Sequence, residues 1–190
     1  MSRFSTIKMT ARQFLELGED PPGVRLELVD GEIAVSPSPI PEHSRVVIQL
    51  ATILNTYILQ HRVGELLTDV DTIFGEHDVR RPDLLFFTNA RHHLIGDKAI
   101  EGPPDLCIEV ISPSSGRTDR KQKFEQYAAG KVKHYWIVDP RQRTIEAYSL
   151  RKGKYLGRVR GSGSDSVKLP PFPKLSIPLN SLWWPKGRLH

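Results

Sequence analysis

Hydrophobic and polar residues repeat with two different periods along this chain. In "VRLELVDGEIAV" the period is two, with Val24, Leu26 and Leu28 on one face and Arg25, Glu27 and Val29 on the other. Asp30-Gly31 between the two halves tolerates positive φ, so the pattern predicts a β-hairpin. In "EHSRVVIQLATILNTYILQHR" the period is helical: Val46, Val47, Leu50, Leu54, Tyr57 and Ile58 form one stripe over about five turns. His43 lies on that stripe at its first turn, where a packed or capping role competes with a role in a site. A shorter helix is expected in "TARQFLELGED", capped by Thr10 and stopped by Gly18 and Pro21. The proline-rich "SPSPIP" between hairpin and long helix reads as a loop outside regular structure.

Further along, one strand is expected near "LLTDVDTIF" and another at "RRPDLLFF", with the turn-like "GEHD" between them. A charged loop follows, and its adjacent His92 and His93 alternate sides on an extended segment, which does not suit one metal ion. The strand at 105 to 111 leads into a helix capped by Thr118, "DRKQKFEQYAA", ended by Gly130. "HYWIVDP" and "TIEAYSL" then read as two strands joined by a short turn. Trp183 and Trp184 near the end are better suited to covering a core edge or an oligomer contact than to stacking on bases. This order of elements predicts an α/β fold, a mixed sheet flanked by helices.

Composition narrows the class. A chain of 190 residues, 38% hydrophobic and 26% charged, fits one domain spanning residues 1 to 190. No apolar run approaches the roughly 18 residues that a membrane span needs. The N-terminus has no secretory pattern, and the expected location is the cytoplasm. The single cysteine excludes an internal disulfide and a multi-cysteine zinc site, and Cys107 reads as a small buried hydrophobe. A net charge of +5 permits an anionic partner, with basic residues grouped in "RTDRKQK", "RKGKYLGRVR" and "KGRLH".

Two strands carry acids. In "RPDLLFF", Asp83 shares a face with Leu85 and Phe87; in "PPDLCIEV", Glu109 shares one with Cys107 and Ile111. An ionised acid in an apolar strand costs several kcal/mol, on the order of magnitude usual for buried charge, unless a cation meets it. If the strands pair, Asp83 and Glu109 converge, and two carboxylates that share a divalent cation suit Mg²⁺. In the following helix Phe124, Tyr127 and Ala128 mark the buried face, with Lys123 beside it. Lys121, about 200° away at roughly 100° per residue, should face solvent. A lysine at Lys123 suits stabilisation of charge in phosphodiester hydrolysis. Purely structural pairing of Glu109 with Arg81 or Lys123, and turn roles for Asp83 and Asp105, are the competing account.

The series "ELVDGEIAVSPSP", "RPDLLFF", "PPDLCIEVISPSS", "DRKQKFEQYAAGKVKHYWIVDP" resembles the PD-(D/E)XK nuclease superfamily. More narrowly it is similar to restriction endonucleases of the Uma-two family. The resemblance implies a restriction-endonuclease-like fold. It further implies a metal ion, Mg²⁺ with Mn²⁺ as a substitute, held by Asp83, Glu109 and the Val110 backbone carbonyl. The superfamily's lysine two residues after the second acid is absent, since Ile111 stands there, and the related family's displaced lysine matches Lys123. Glu27 matches an N-terminal acid that orients water or a second ion, and His43 an accessory position. The expected activity is Mg²⁺-dependent endonucleolytic hydrolysis of DNA, by a homodimer with one site per strand. A catalytically inactive nucleic-acid-binding protein of this fold, or a structural or partner-binding protein, are the alternatives.

Overall fold

The computed structural model describes residues 8–112, 116 and 118–185. Three helices, α1 (Ala11–Leu15), α2 (Pro41–His61) and α3 (Lys123–Ala129), surround two sheets and a hairpin. The large sheet has the order β10-β9-β8-β7-β6-β3, from β3 (Gly64–Leu67), β6 (Leu84–Thr88), β7 (Leu106–Val110), β8 (His134–Asp139), β9 (Thr144–Arg151) and β10 (Lys154–Ser162). Its strands are antiparallel except β7 and β8, which run parallel with α3 as their crossover. A four-stranded sheet, β2-β1-β5-β4, contains β1 (Val24–Val29), β2 (Glu32–Pro37), β4 (Thr72–Gly75) and β5 (Asp78–Arg80). β11 (Ser166–Leu169) and β12 (Phe172–Pro178) form a separate hairpin. The mixed sheet flanked by helices is the architecture expected from the pattern.

Strand alternation divides the large sheet into two apolar faces. Leu84, Phe86, Leu106, Ile108 and Val110 pack under the α2 stripe of Val46, Leu50, Leu54 and Ile58, together with β11–β12. Leu85, Phe87 and Cys107 face the other way, onto Tyr127 and Ala128 of α3. Position 109 has the parity of Cys107, so the Glu109 side chain emerges on the α3 side. Cys107 is buried, and burial pushes its thiol well up, as suits a core residue rather than a nucleophile. Trp183 packs into the α2-side core, as expected of a residue at a core edge, and Arg45 lies over the half-buried Trp184 ring at 4.6 Å.

Several local expectations change. The hairpin closes at Asp30 and Gly31, with φ of 51° and 80°, and a Cβ at Gly31 would come within 2.5 Å of the Lys8 side chain. "SPSPIP" is only partly loop: Ser36 and Pro37 end the edge strand β2, and Pro41 occupies the first turn of α2. Both are positions where a missing N–H costs little. "LLTDVDTIF" is two strands in different sheets, interrupted at Asp69, whose φ is 56°. "RRPDLLFF" becomes regular only at Leu84, leaving Asp83 at the mouth of β6. Thr118 does not cap an α-helix; it opens a π-helical turn, Thr118–Gln122, that runs into α3. Among the described residues no helix is long and apolar enough to cross a membrane.

Candidate active site

The β6–β7 register, Leu84↔Ile108 with Leu85↔Cys107, extrapolates to Asp83 opposite Glu109. Both acids are buried, with relative exposures of 6% and 3%. They line a cleft of about 250 Å³ together with Arg25 and Glu27 from β1, His43 from the start of α2, Val110, Asp119 and Lys123. Every residue singled out from the sequence for a site therefore borders one cavity.

Each acid is held by groups distant in sequence. Asp83 Oδ2 accepts from the Val110 amide at 2.8 Å and lies 3.0 Å from His43 Nε2, while Arg25 approaches Oδ1 at 3.7 Å. Burial works against the Asp83 charge, but the His43 contact, Lys123 and the Val110 amide outweigh it and hold the carboxyl below its ordinary value. Glu109 Oε1 accepts from Tyr127 Oη at 2.6 Å, and Lys123 Nζ lies 2.9 Å from Oε2. Lys123 also lies 3.3 Å from Asp119, one helical turn before it. Burial raises the Glu109 carboxyl to about 8, assisted by the charges of Asp83, Asp119 and Glu27 and opposed by Lys123. Lys123 itself is kept charged, its desolvation outweighed by Glu109, Glu27, Asp119 and Asp83. Arg80 answers Glu27 and Arg25 approaches Asp83, so the crowding of acids falls on Glu109, where a proton relieves it in the absence of a metal ion.

Glu27 accepts from Arg80 Nη1 at 2.9 Å and from the Arg81 amide at 3.0 Å. Both of its oxygens are thus engaged, and it ties β1 to the segment that delivers Asp83. Arg81, the sequence alternative for pairing with Glu109, instead bonds Asp71 at 2.7 Å and pairs with Asp20. Lys121 is exposed and has no side-chain partner among the described residues. His92 and His93 are exposed and do not line the cleft.

Sequence reasoning passed over Arg25, Arg80 and Asp119. Arg25 shares a strand face with Glu27, and Asp119-x-x-x-Lys123 has the spacing of an ion pair on one helix face, so both signals were present. Arg80 carried no local signal, because its partner is 53 positions away.

The model of the Uma2 family, described as "Putative restriction endonuclease", matches residues 11–180. The chain belongs to this family. A solved structure of the same overall shape as this Uma2-family chain is a "putative nuclease belonging to DUF820" from Anabaena variabilis. It has a TM-score of 0.75 and 22% identity, covering 92% of this chain and 97% of that one. At that identity the likeness speaks to the fold. No curated protein matches the chain.

In this Uma2-family chain a divalent ion would draw its ligands from the cleft acids. Among the described residues, no three His, Cys, Asp or Glu side chains form a ready group of ligands. Two converging carboxylates remain, and among the described residues Asp83 Oδ1 meets Arg25 at 3.7 Å. Oxygen donors from one or two carboxylates, completed by water, suit Mg²⁺. The donor types suit such an ion, with Glu109 Oε1 held by Tyr127 and Oε2 by Lys123 in this structure.

Proposed function

We propose that this protein is a Mg²⁺-dependent endodeoxyribonuclease. One observation carries the reading: the register of β6 and β7 sets Asp83 opposite Glu109 in a cleft where Lys123 Nζ stands 2.9 Å from Glu109. Asp83 and Glu109, with the Val110 carbonyl, would hold the ion, which supplies a Lewis acid for the phosphoryl group. The chain's own groups do the rest. His43 and the Val110 amide fix the Asp83 carboxylate, and Tyr127 fixes Glu109. The Lys123 ammonium neutralises charge that develops on the phosphoryl oxygens. Glu27 assists by holding Arg80 and the Arg81 amide, and so the approach of Asp83 to the cleft. A homodimer would present one such cleft to each strand of a duplex.

The alternative of a catalytically inactive binder rested on Ile111 standing where a lysine is usual. The ammonium that reaches Glu109 from α3 weakens that ground. The test is incubation of plasmid with the purified protein in Mg²⁺ or Mn²⁺, beside Asp83→Ala, Glu109→Ala and Lys123→Ala. Nicking or linearisation by the wild type that is lost in all three variants is the expected result. Cleavage that persists in all three rejects the site, and DNA binding without any cleavage favours the inactive binder.

A further inference from the structure

The hairpin of β9 and β10 carries a concentration of cations that folding does not account for. Its turn runs through Lys152 and Gly153, both with positive φ, and its register sets Lys154 directly across from Arg151. Like charges opposite each other in an antiparallel pair are destabilising. Arg151, Lys152, Lys154 and Arg160 are all exposed, and none has a side-chain partner among the described residues.

From the turn, the outer strand of the large sheet runs toward the cleft, with Arg151 and Lys154 on the face opposite Tyr155 and Leu150, and Arg160 on the α3 face, so the cations wrap the sheet edge. Arg158 and Arg160 flank Val159, and Arg160 stands across from Glu146. Glu146 is buried, and its carboxylate is already committed to Arg120 at 2.7 Å, Arg158 at 3.3 Å and Tyr148 Oη at 2.6 Å. Arg120 adjoins Asp119, which lines the cleft, in the π-helical turn that precedes Lys123. Two guanidiniums meeting at one carboxylate thus link the hairpin to the turn that carries the site. Because of the bulge between Leu156 and Val159, Lys154 to Arg160 spans five residue steps of the partner strand, about 17 Å at roughly 3.3 Å per residue, comparable to five phosphate steps at about 3.4 Å of axial rise each.

We propose that the β9–β10 hairpin is a phosphate-binding track that seats duplex DNA outside the cleft and leads it to Lys123. The proposal rests on the nuclease reading for its choice of polyanion. The track contacts backbone rather than bases, so it contributes affinity and orientation but no sequence preference.

The test is fluorescence anisotropy of a labelled 20-base-pair DNA duplex titrated with the full chain in EDTA, over a range of KCl. Neutralising Arg151, Lys152, Lys154 and Arg160 to Gln together should lower affinity more than tenfold at about 100 mM salt and reduce the salt slope by up to about 3.6, near 0.9 for each of the four phosphate contacts. Neutralising Arg12 and Lys98, exposed elsewhere, should do neither. Lys154→Glu alone should raise the thermal midpoint, because it gives Arg151 a partner, while weakening DNA binding. A structural role for the charges would not produce these opposed effects. An unchanged salt slope in the quadruple variant, or an equal loss in the Arg12 and Lys98 control, overturns the track while leaving the cleavage reading intact. Failure of the wild type to bind the duplex overturns the track, and the plasmid assay in Mg²⁺ decides the cleavage reading separately. Tighter binding of a same-length RNA duplex overturns the choice of DNA.

Discussion

Lys123 Nζ lies 2.9 Å from Glu109 Oε2, although fourteen positions separate the two residues and Ile111 occupies the place two after the acid. The ammonium arrives from α3 because Glu109 has the strand parity of Cys107 and so points at that helix. Within "DRKQK" this favours one lysine. Lys123→Ala is expected to lower the cleavage rate by about 10²- to 10³-fold, the usual effect of removing a charge-stabilising donor. Lys121→Ala should stay within about twofold, since an exposed side chain without partners loses little. Single-turnover rates on supercoiled plasmid, with circular dichroism to verify folding, separate the two.

The cleft should bind Mg²⁺ in competition with a proton. Burial holds the Glu109 carboxyl up at about 8, so below that pH a metal ion must displace the proton before the carboxylate can serve as a ligand. Apparent affinity should therefore rise with pH toward about 8 and level off above it. Calorimetry in buffers of different ionisation enthalpy should detect proton release on Mg²⁺ binding at pH 7. Asp83→Asn should abolish binding, and chelation should abolish cleavage. Affinity that is flat from pH 6 to 8.5 would contradict this account.

Much of this site could be read from local pattern, and the remainder could not for identifiable reasons. The period of two around Glu109 and the apolar face of α3 were enough to choose Lys123, because strand parity and helix phase depend only on nearby residues. Asp119 was equally readable through its spacing to Lys123, but an α-helix beginning after Thr118 made it a first-turn residue rather than a site residue. The π-helical turn there is a tertiary outcome: Arg120 reaches across to Glu146 on β9 and Tyr135 Oη donates to the Asp119 carbonyl. His43 and Asp83, 40 positions apart, meet only once α2 has packed on the sheet. The strand expected over "LLTDVDTIF" failed for a similar reason. Its apolar residues serve two different sheets, and alternation alone cannot show which partner a strand takes.

Asp105 offers a stability test away from the cleft. Its Oδ2 accepts from the Thr88 amide at 2.9 Å and hydroxyl at 2.8 Å, and Oδ1 meets Lys133 at 2.7 Å and Arg91 at 3.4 Å. Burial opposes the charge, but Lys133 and the Thr88 donors outweigh it and hold the carboxyl below its ordinary value. With the folded pKa depressed, this stabilisation is fully present above the unfolded value of about 3.9 and is lost as pH falls through the folded value. Asp105→Asn should cost about 1 to 3 kcal/mol at pH 7, the range for stranding partners of a buried acceptor. The gap to wild type should narrow below about pH 4, where the unfolded chain's carboxyl begins to take up its proton while the folded one still resists it. Urea unfolding at pH 7 and pH 3 measures both arms, and an equal gap at the two values would exclude the ionic contribution.

The Glu27–Arg80 pair separates the cost of a buried charge from a role in catalysis. Arg80 is 2% exposed and bonds Glu27 at 2.9 Å and Gln126 at 2.7 Å. Glu27→Leu leaves that guanidinium without its counterion, and removing one partner of a buried pair costs about 3 to 5 kcal/mol. Adding Arg80→Met removes the stranded charge, so the double variant should recover a substantial part of the loss even though the Arg81 amide still lacks its acceptor. Cleavage should not recover in parallel. If Glu27 holds the segment that delivers Asp83, the double variant regains stability while remaining slower than wild type, and Glu27→Gln, which keeps an acceptor for the Arg81 amide, retains more activity than either. Denaturant midpoints and single-turnover rates on the same four proteins decide it, because recovery of both quantities together would reduce Glu27 to a charge partner for Arg80.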